Sequence, residues 1–307
     1  MRTAPNSMDA LAPLGPGAHI RVVAPSGCVD SDRLDRGISL LKERFGFSVS
    51  LDLPKETDRY LAGSDEDRLA ALQRAFEDRT VDGIWCGRGG YGAIRIATAV
   101  GAMSPRPVPL IGFSDLTVLH AVLAREGIRS WHGPVVSQLA DLDTHSLEQC
   151  ANMLQGSGSP DLLPSAKAKV LRPGFAEGPL RGGNLTMLAS LAGTPWTPDL
   201  RGAIVFLEDV GESVYRLDRC LQQLRHACGL DDAAAVVLGA FTEVPREESD
   251  WLDSLWLELA RTIQCPVVEG LPVGHRAPNW MLPLGAHAIL ETEPPALRVA
   301  TPWVKIE

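Results

Sequence analysis

Three stretches of the chain put reactive side chains where the backbone must turn sharply. The run Ile111-Gly112-Phe113-Ser114-Asp115 carries an apolar segment directly into a hydroxyl. A serine at the junction of a buried strand and a helix raises its Oγ at the carboxyl edge of a sheet, where open α/β folds bind ligands, and the Asp115 N–H points from the helix start into the same space. The same residues also suit a plain helix cap. The GxSxG pattern of α/β-hydrolases is not met, because Leu116 stands where the last glycine would be. A serine nucleophile further needs a base and a carboxylate that orients the base. Val273-Gly274-His275-Arg276 offers an imidazole in a loop, and Ile204-Val205-Phe206-Leu207-Glu208-Asp209 delivers two acids at the end of an apolar run. Singly, these read as a surface histidine and a solvated strand end. With Ser114 they form a set in which the imidazole takes the serine proton and the acid fixes its tautomer.

The third stretch is Gly87-Arg88-Gly89-Gly90-Tyr91-Gly92, which satisfies GxGxxG between a strand and a helix. Such glycines let a backbone approach a dinucleotide pyrophosphate. Here the motif does not follow the first strand, and the next strand ends in Gly112-Phe113-Ser114 where an acidic ribose ligand would be needed. Two other uses stay open: a tight turn, or a cradle of N–H groups for a developing oxyanion.

The elements that must position these residues follow from periodicity. Short β-branched runs alternate with helical patterns in the first half, the signature of an α/β domain with a parallel sheet. His19–Ala24, Val81–Cys86 and Val108–Ile111 read as strands, with helices carrying Leu34, Ile38, Leu41 and Phe45 and ending at Gly46, beginning at Ser64, and beginning at Ala93. Residues 155–180 turn to Gly, Ser and Pro and lose periodicity, so the expected organisation is an N-terminal α/β domain over 1–160, a linker over 161–180 and a C-terminal domain over 181–307. In that second half a short helix is expected over Asn184–Leu191, strands over Ala203–Leu207, Ala234–Phe241 and Val267–Glu269, a helix capped by Ser213, and a hairpin over Ala286–Val299.

Composition narrows the function classes. The 307 residues hold 29 Lys and Arg against 38 Asp and Glu, a net charge of −9, which makes nucleic acid and anionic membrane poor partners. The six cysteines form no CxxC pair and read as reduced thiols. Residues 1–18 lack the apolar run of a signal peptide, and a cytoplasmic location is expected. No His/Cys/Asp cluster has metal-ligand spacing; His226 and Cys228 share a helix end without further partners.

Taken in order, Ala24-Pro25-Ser26-Gly27, Arg88-Gly89-Gly90-Tyr91-Gly92, Gly112-Phe113-Ser114-Asp115, His132-Gly133-Pro134, Gly182-Gly183-Asn184-Leu185, Leu207-Glu208-Asp209 with Glu212, and Gly274-His275 with Asn279 and Leu282-Pro283-Leu284-Gly285 resemble the LD-carboxypeptidase family. These are serine peptidases of the S66 type, which include muramoyltetrapeptide carboxypeptidases. The resemblance implies a flavodoxin-like or class I glutamine-amidotransferase-like parallel sheet, followed by a smaller, swivelling β-rich domain, in a homodimer. It implies Ser114 as nucleophile, His275 as general base and acid, and Glu208 as the orienting carboxylate, with Asp209 and Glu212 as rivals and His132 as a rival base. The oxyanion hole would be the N–H of Asp115 with one from Gly89 or Gly90. Arg88, Tyr91, His132, Asn184 and Arg276 are candidate substrate contacts, with Arg181 a further cation for a terminal carboxylate. The implied substrate is a murein tetrapeptide or muropeptide, cut between the L-centre of a diamino acid and terminal D-alanine, with no metal or organic cofactor. An amidase of the microcin C self-immunity kind is the alternative within the family, for which Trp85, Trp131 or Trp280 would have to stack a nucleobase. A non-catalytic α/β binding module is the alternative outside it.

Overall fold

In the first half of the chain, short apolar runs separated by amphipathic helices leave few ways to bury both. The computed structural model describes residues 13–103, 105–157 and 161–299, so residues 1–12 of the N-terminal stretch lie outside it. The chain divides into two compact units, Met1–Gly158 and Ser159–Glu307. In the first, β1 (His19–Val23), β2 (Ser48–Asp52), β3 (Gly83–Cys86), β4 (Leu110–Gly112) and β5 (Ser130–His132) run parallel in the order β2-β1-β3-β4-β5. Every residue of β3, β4 and β5 is buried, as in strands covered on both faces. The chain leaves β1 on one side and returns to β3 on the other. That reversal is the switch point at which doubly wound sheets bind ligands, beyond the carboxyl ends of the strands.

The helices α1 (Ser31–Glu43), α2 (Asp65–Glu77), α3 (Ala93–Ala102), α4 (Thr117–Arg125) and α5 (Thr144–Gln155) complete this unit. Asp30 caps α1 by accepting from the Arg33 N–H at 2.9 Å, and Ser64 caps α2 by accepting from Asp67 at 3.1 Å. The expected strands and helices lie where periodicity put them, within a few residues; β2, β5 and α5 were not anticipated.

The second unit is a mixed sheet. Its strands are β6 (Lys169–Arg172), β7 (Phe175–Asn184), β8 (Ile204–Val210), β9 (Ala235–Thr242), β10 (Val267–Glu269), β12 (His287–Thr292) and β13 (Pro295–Val299); the short β11 (Leu282–Leu284), before β12, is not a member of this sheet. They are ordered β13-β12-β7-β8-β9-β10-β6, with β7 to β10 parallel and antiparallel neighbours on both flanks. The helices α6 (Leu185–Ser190), α7 (Val214–Cys228) and α8 (Ser249–Thr262) share a core with β8 and β9, built around Val205, Leu207, Leu221, Leu224, Val236 and Trp256.

Two expectations are corrected here. The stretch 161–180 is not a linker: it supplies β6 and the start of β7. Its glycines serve close packing, since a Cβ on Gly178 would stand 2.2 Å from the Gly202 carbonyl oxygen. Ser213 occupies the N-cap position of α7 without a side-chain capping bond to the helix N–H groups; Glu248 instead accepts from the Val214 N–H at 2.6 Å.

Candidate active site

In the first unit, the candidate nucleophile sits where β4 gives way to the single turn that precedes α4. Ser114 has φ +64°, a left-handed backbone that costs a non-glycine residue roughly 1–2 kcal/mol and persists only when its surroundings enforce it. Hydrogen bonds on either side of it do so. The Gly112 carbonyl accepts from the Gly133 N–H at 3.1 Å and from the buried His120 Nε2 at 2.8 Å. Because a carbonyl only accepts, that bond fixes the Nε2–H tautomer of His120, and Nδ1 in turn accepts from the Ser130 hydroxyl at 2.8 Å. The Asp115 side chain, 1% exposed, accepts from the Ser26 hydroxyl and from the Ala93 N–H at 2.8 Å. Burial pushes the Asp115 carboxyl above its usual range against these two donors.

The glycine turn between β3 and α3 lies against this serine. A Cβ on Gly89 would stand 3.0 Å from Ser114 Cβ and 3.3 Å from its Oγ, so only glycine lets the backbone come this close. Gly90 follows with φ +104°, and the Gly89 carbonyl accepts from the Gly27 N–H at 2.9 Å. The turn therefore packs against a hydroxyl, as an oxyanion cradle would.

In the second unit, Glu208 lies on β8 where the β8–β9 register shifts, an irregularity that re-aims side chains. Gly239 opposite makes room, its Cβ position being 3.3 Å from Glu208 Cβ. Glu208 is fully buried, and its Oε2 accepts from His275 Nδ1 at 2.9 Å. The His275 loop is tied to β9 by the Ala240 N–H, which donates to the Val273 carbonyl at 2.8 Å, and is braced within itself by the Gly274 N–H, which donates to Asn279 Oδ1 at 3.2 Å. Burial raises the Glu208 pKa, opposed by the His275 hydrogen bond. For His275, burial is the largest single influence and favours the neutral ring, yet the hydrogen bond and charge of Glu208, with Asp209 and Glu243 behind them, outweigh it and raise its pKa. With Nδ1–H committed to Glu208, Nε2 is the basic nitrogen.

The rival acids are engaged elsewhere. Asp209 accepts from Asn184 Nδ2 at 2.9 Å and from the Thr186 N–H and hydroxyl at 2.9 and 2.8 Å, at the start of α6. Glu212 pairs with Arg216 at 3.4 Å. Of the expected substrate contacts, Arg88, Tyr91 and Arg276 are exposed. Tyr91 packs edge-on to Tyr60, and Arg88 donates to the Cys28 carbonyl at 2.6 Å. His132 has no exposed surface and lies edge-on to Phe113, while Asn184 is 4% exposed and caps α6 by accepting from the Met187 N–H at 3.0 Å. Trp85, Trp131 and Trp280 are buried, which leaves none of them a face for a nucleobase. Arg181 donates to the Asp199 carbonyl. Sequence reasoning passed over His120 and Arg68, whose only signal was polarity inside helical stripes. Among the described residues no group of three His, Cys, Asp or Glu side chains is placed to hold a metal.

Comparison with known proteins matches residues 20–133 to the LD-carboxypeptidase N-terminal domain and residues 177–290 to the LD-carboxypeptidase C-terminal domain. A probable murein peptide carboxypeptidase of Bacillus subtilis is 36% identical over 91% of this chain and 90% of its own length. A murein tetrapeptide carboxypeptidase of Pseudomonas aeruginosa is 36% identical over 95% of this chain and 98% of its own. The crystal structure of muramoyltetrapeptide carboxypeptidase from Oxalobacter formigenes superposes with a TM-score of 0.80 at 32% identity, covering 92% of this chain and 98% of that one. On both domains and nearly its whole length, the chain belongs to the LD-carboxypeptidase family.

Proposed function

We propose that this protein is a serine carboxypeptidase that hydrolyses the amide between the L-centre of a diamino acid and the terminal D-alanine of a murein tetrapeptide. The observation that carries the reading is Ser114, held in a left-handed turn against the Gly89 backbone. The buried His275–Glu208 hydrogen bond supplies the matching base and orienting acid. Relatives named for murein peptides support the substrate class.

In this mechanism Ser114 Oγ attacks the scissile carbonyl carbon while His275 Nε2 takes its proton. The negative oxygen of the tetrahedral intermediate is met by the N–H of Asp115 and one from the Gly89-Gly90 turn. The C–N bond breaks as His275 returns the proton to the departing D-alanine, leaving an acyl ester on Ser114. Water, deprotonated by His275, then cleaves the ester and restores the hydroxyl. Glu208 holds the Nδ1–H tautomer and stabilises the imidazolium formed in each half. The exposed Arg88 and Arg276 are the candidate cations for the terminal carboxylate, and the exposed Tyr91 is a further candidate contact. No metal or organic cofactor takes part, and the enzyme works as a homodimer on recycled peptide in the cytoplasm.

The test is release of D-alanine from a murein tetrapeptide. Wild type is expected to release it, and Ser114→Ala to lose roughly 10⁴–10⁶ in rate, as when a triad nucleophile is removed. Full activity in Ser114→Ala would exclude the serine mechanism. Hydrolysis of an aminoacyl sulfamoyl nucleotide alone would assign the enzyme to the amidases of that substrate class.

A further inference from the structure

One buried carboxylate joins the three loops at the carboxyl ends of β1, β3 and β4. Asp115 Oδ2 accepts from the Ser26 hydroxyl, in the loop after β1, and from the Ala93 N–H, at the end of the glycine turn, 2.8 Å away. Asp115 itself belongs to the Ser114 turn. The residue after Ser26 completes the circuit, because the Gly27 N–H donates to the Gly89 carbonyl at 2.9 Å. Behind this circuit lies Arg68, with no exposed surface. Its guanidinium donates to the Pro25 carbonyl, to the Gly92 carbonyl at 3.0 Å and to the Gly63 carbonyl at 3.3 Å, and pairs with Asp65. Arg68 therefore grips the residue before Ser26 and the residue before Ala93. Its positive charge also offsets part of the cost of burying Asp115.

A charge buried this deeply is an expensive way to join loops that apolar packing could join. It holds something that packing holds poorly: the spacing between two sets of backbone N–H groups on different loops. Oxyanion stabilisation depends on that spacing, since donors about 3 Å from the developing charge act only if they are fixed before the charge appears.

Building on the serine-hydrolase reading, we propose that the Asp115 carboxylate, with Ser26 and Arg68, is a positioning device that sets the distance between the Asp115 N–H and the Gly89-Gly90 N–H groups. Its contribution then appears in the transition state and not in substrate binding, because the ground-state carbonyl makes weaker use of the same donors.

The experiment uses the full chain carrying Ser26→Ala, Asp115→Ala or Asp115→Asn, each checked for folding by its thermal transition. It measures kcat and KM for tetrapeptide hydrolysis and the affinity of a peptidyl boronic acid, which forms a tetrahedral adduct on the serine. Ser26→Ala is expected to lower kcat about tenfold and Asp115→Ala about 10²–10³-fold. KM should stay within about twofold, and boronate affinity should fall in step with kcat. Asp115→Asn keeps one oxygen to accept both donors, so it should recover at least tenfold of the Asp115→Ala loss. A folded Ser26→Ala with wild-type kcat and boronate affinity overturns the proposal, even if Asp115→Ala does not fold. So does a rise in KM at unchanged kcat. Failure of the underlying reading is distinct: there the wild type itself neither binds the boronate nor releases D-alanine.

Discussion

At Ser114 and His275, the two residues on which the proposed chemistry turns, local energetics are set against the group's own preference. Ser114 holds a backbone conformation its Cβ disfavours, and His275 takes up a proton more readily than a free imidazole although its partial burial opposes the charge. The second conflict has a sign that activity can read. A base works only when deprotonated, so raising the His275 pKa moves the acid limb of kcat/KM above the ordinary imidazole value of about 6.5. Glu208→Gln removes the charge that sustains the elevation while burial remains. The limb should therefore shift to lower pH, as kcat drops about 10²–10⁴-fold for loss of the orienting acid. A pH profile on the variant decides the matter, and an unmoved limb would separate Glu208 from the titration. The residues behind this prediction were legible as types at strand ends and in a loop. The choice of Glu208 over Asp209 came from family resemblance alone, and its physical basis is that Asp209 is spent on the start of α6. Arg68 carries no comparable signal, and Ser26 enters only within the Ala24-Pro25-Ser26-Gly27 resemblance, with no role attached to it. Their partners are backbone atoms and a carboxylate far away in sequence, which only the fold brings near.

Among the elements, the parallel strands around the switch point were readable because burial on both faces leaves unbroken apolar runs such as Gly83–Cys86. β2 gives no such signal because none of its residues is buried, Leu51 being half exposed, and serines interrupt its apolar positions. Residues 161–180, which hold β6 and the start of β7, read as a linker for a different reason. Glycine that serves close strand packing, as at Gly178, has the same one-letter signal as glycine that serves a turn. A polar joint between elements yields the next prediction. His120 on α4 is bonded to the end of β4 and to Ser130 on β5, and burial pulls its pKa down to about 4, with the Gly112 hydrogen bond working the other way. Above pH 6.5 the ring is neutral both folded and unfolded. Between about 6.5 and 4 only the unfolded chain binds the proton, so stability falls as pH falls, by on the order of 3 kcal/mol in all. Urea unfolding of wild type and His120→Gln at pH 7 and pH 4.5 checks this. The variant should lose less stability between the two, and equal losses would mean that His120 is not the group responsible.

The whole molecule comprises two compact units, each holding one half of the proposed machinery: Ser114 and the glycine turn in the first, Glu208 and His275 in the second. Catalysis that needs both halves is limited by whichever unit opens first, and a single unfolding transition need not describe the chain. Leu224, fully buried in the core shared by α7, α8 and β8, offers a way to loosen one unit without touching a polar site. Truncating a buried leucine costs about 2–5 kcal/mol. In Leu224→Ala the temperature of inactivation should fall, while kcat at 25 °C stays near wild type because the remaining folded molecules are intact. Hydrogen exchange should accelerate in β8 and β9 and keep its wild-type rate in β3 and β4. Acceleration to the same degree in both sheets would mean that the cores unfold as one, and the stability of the serine's turn would then depend on packing far along the chain.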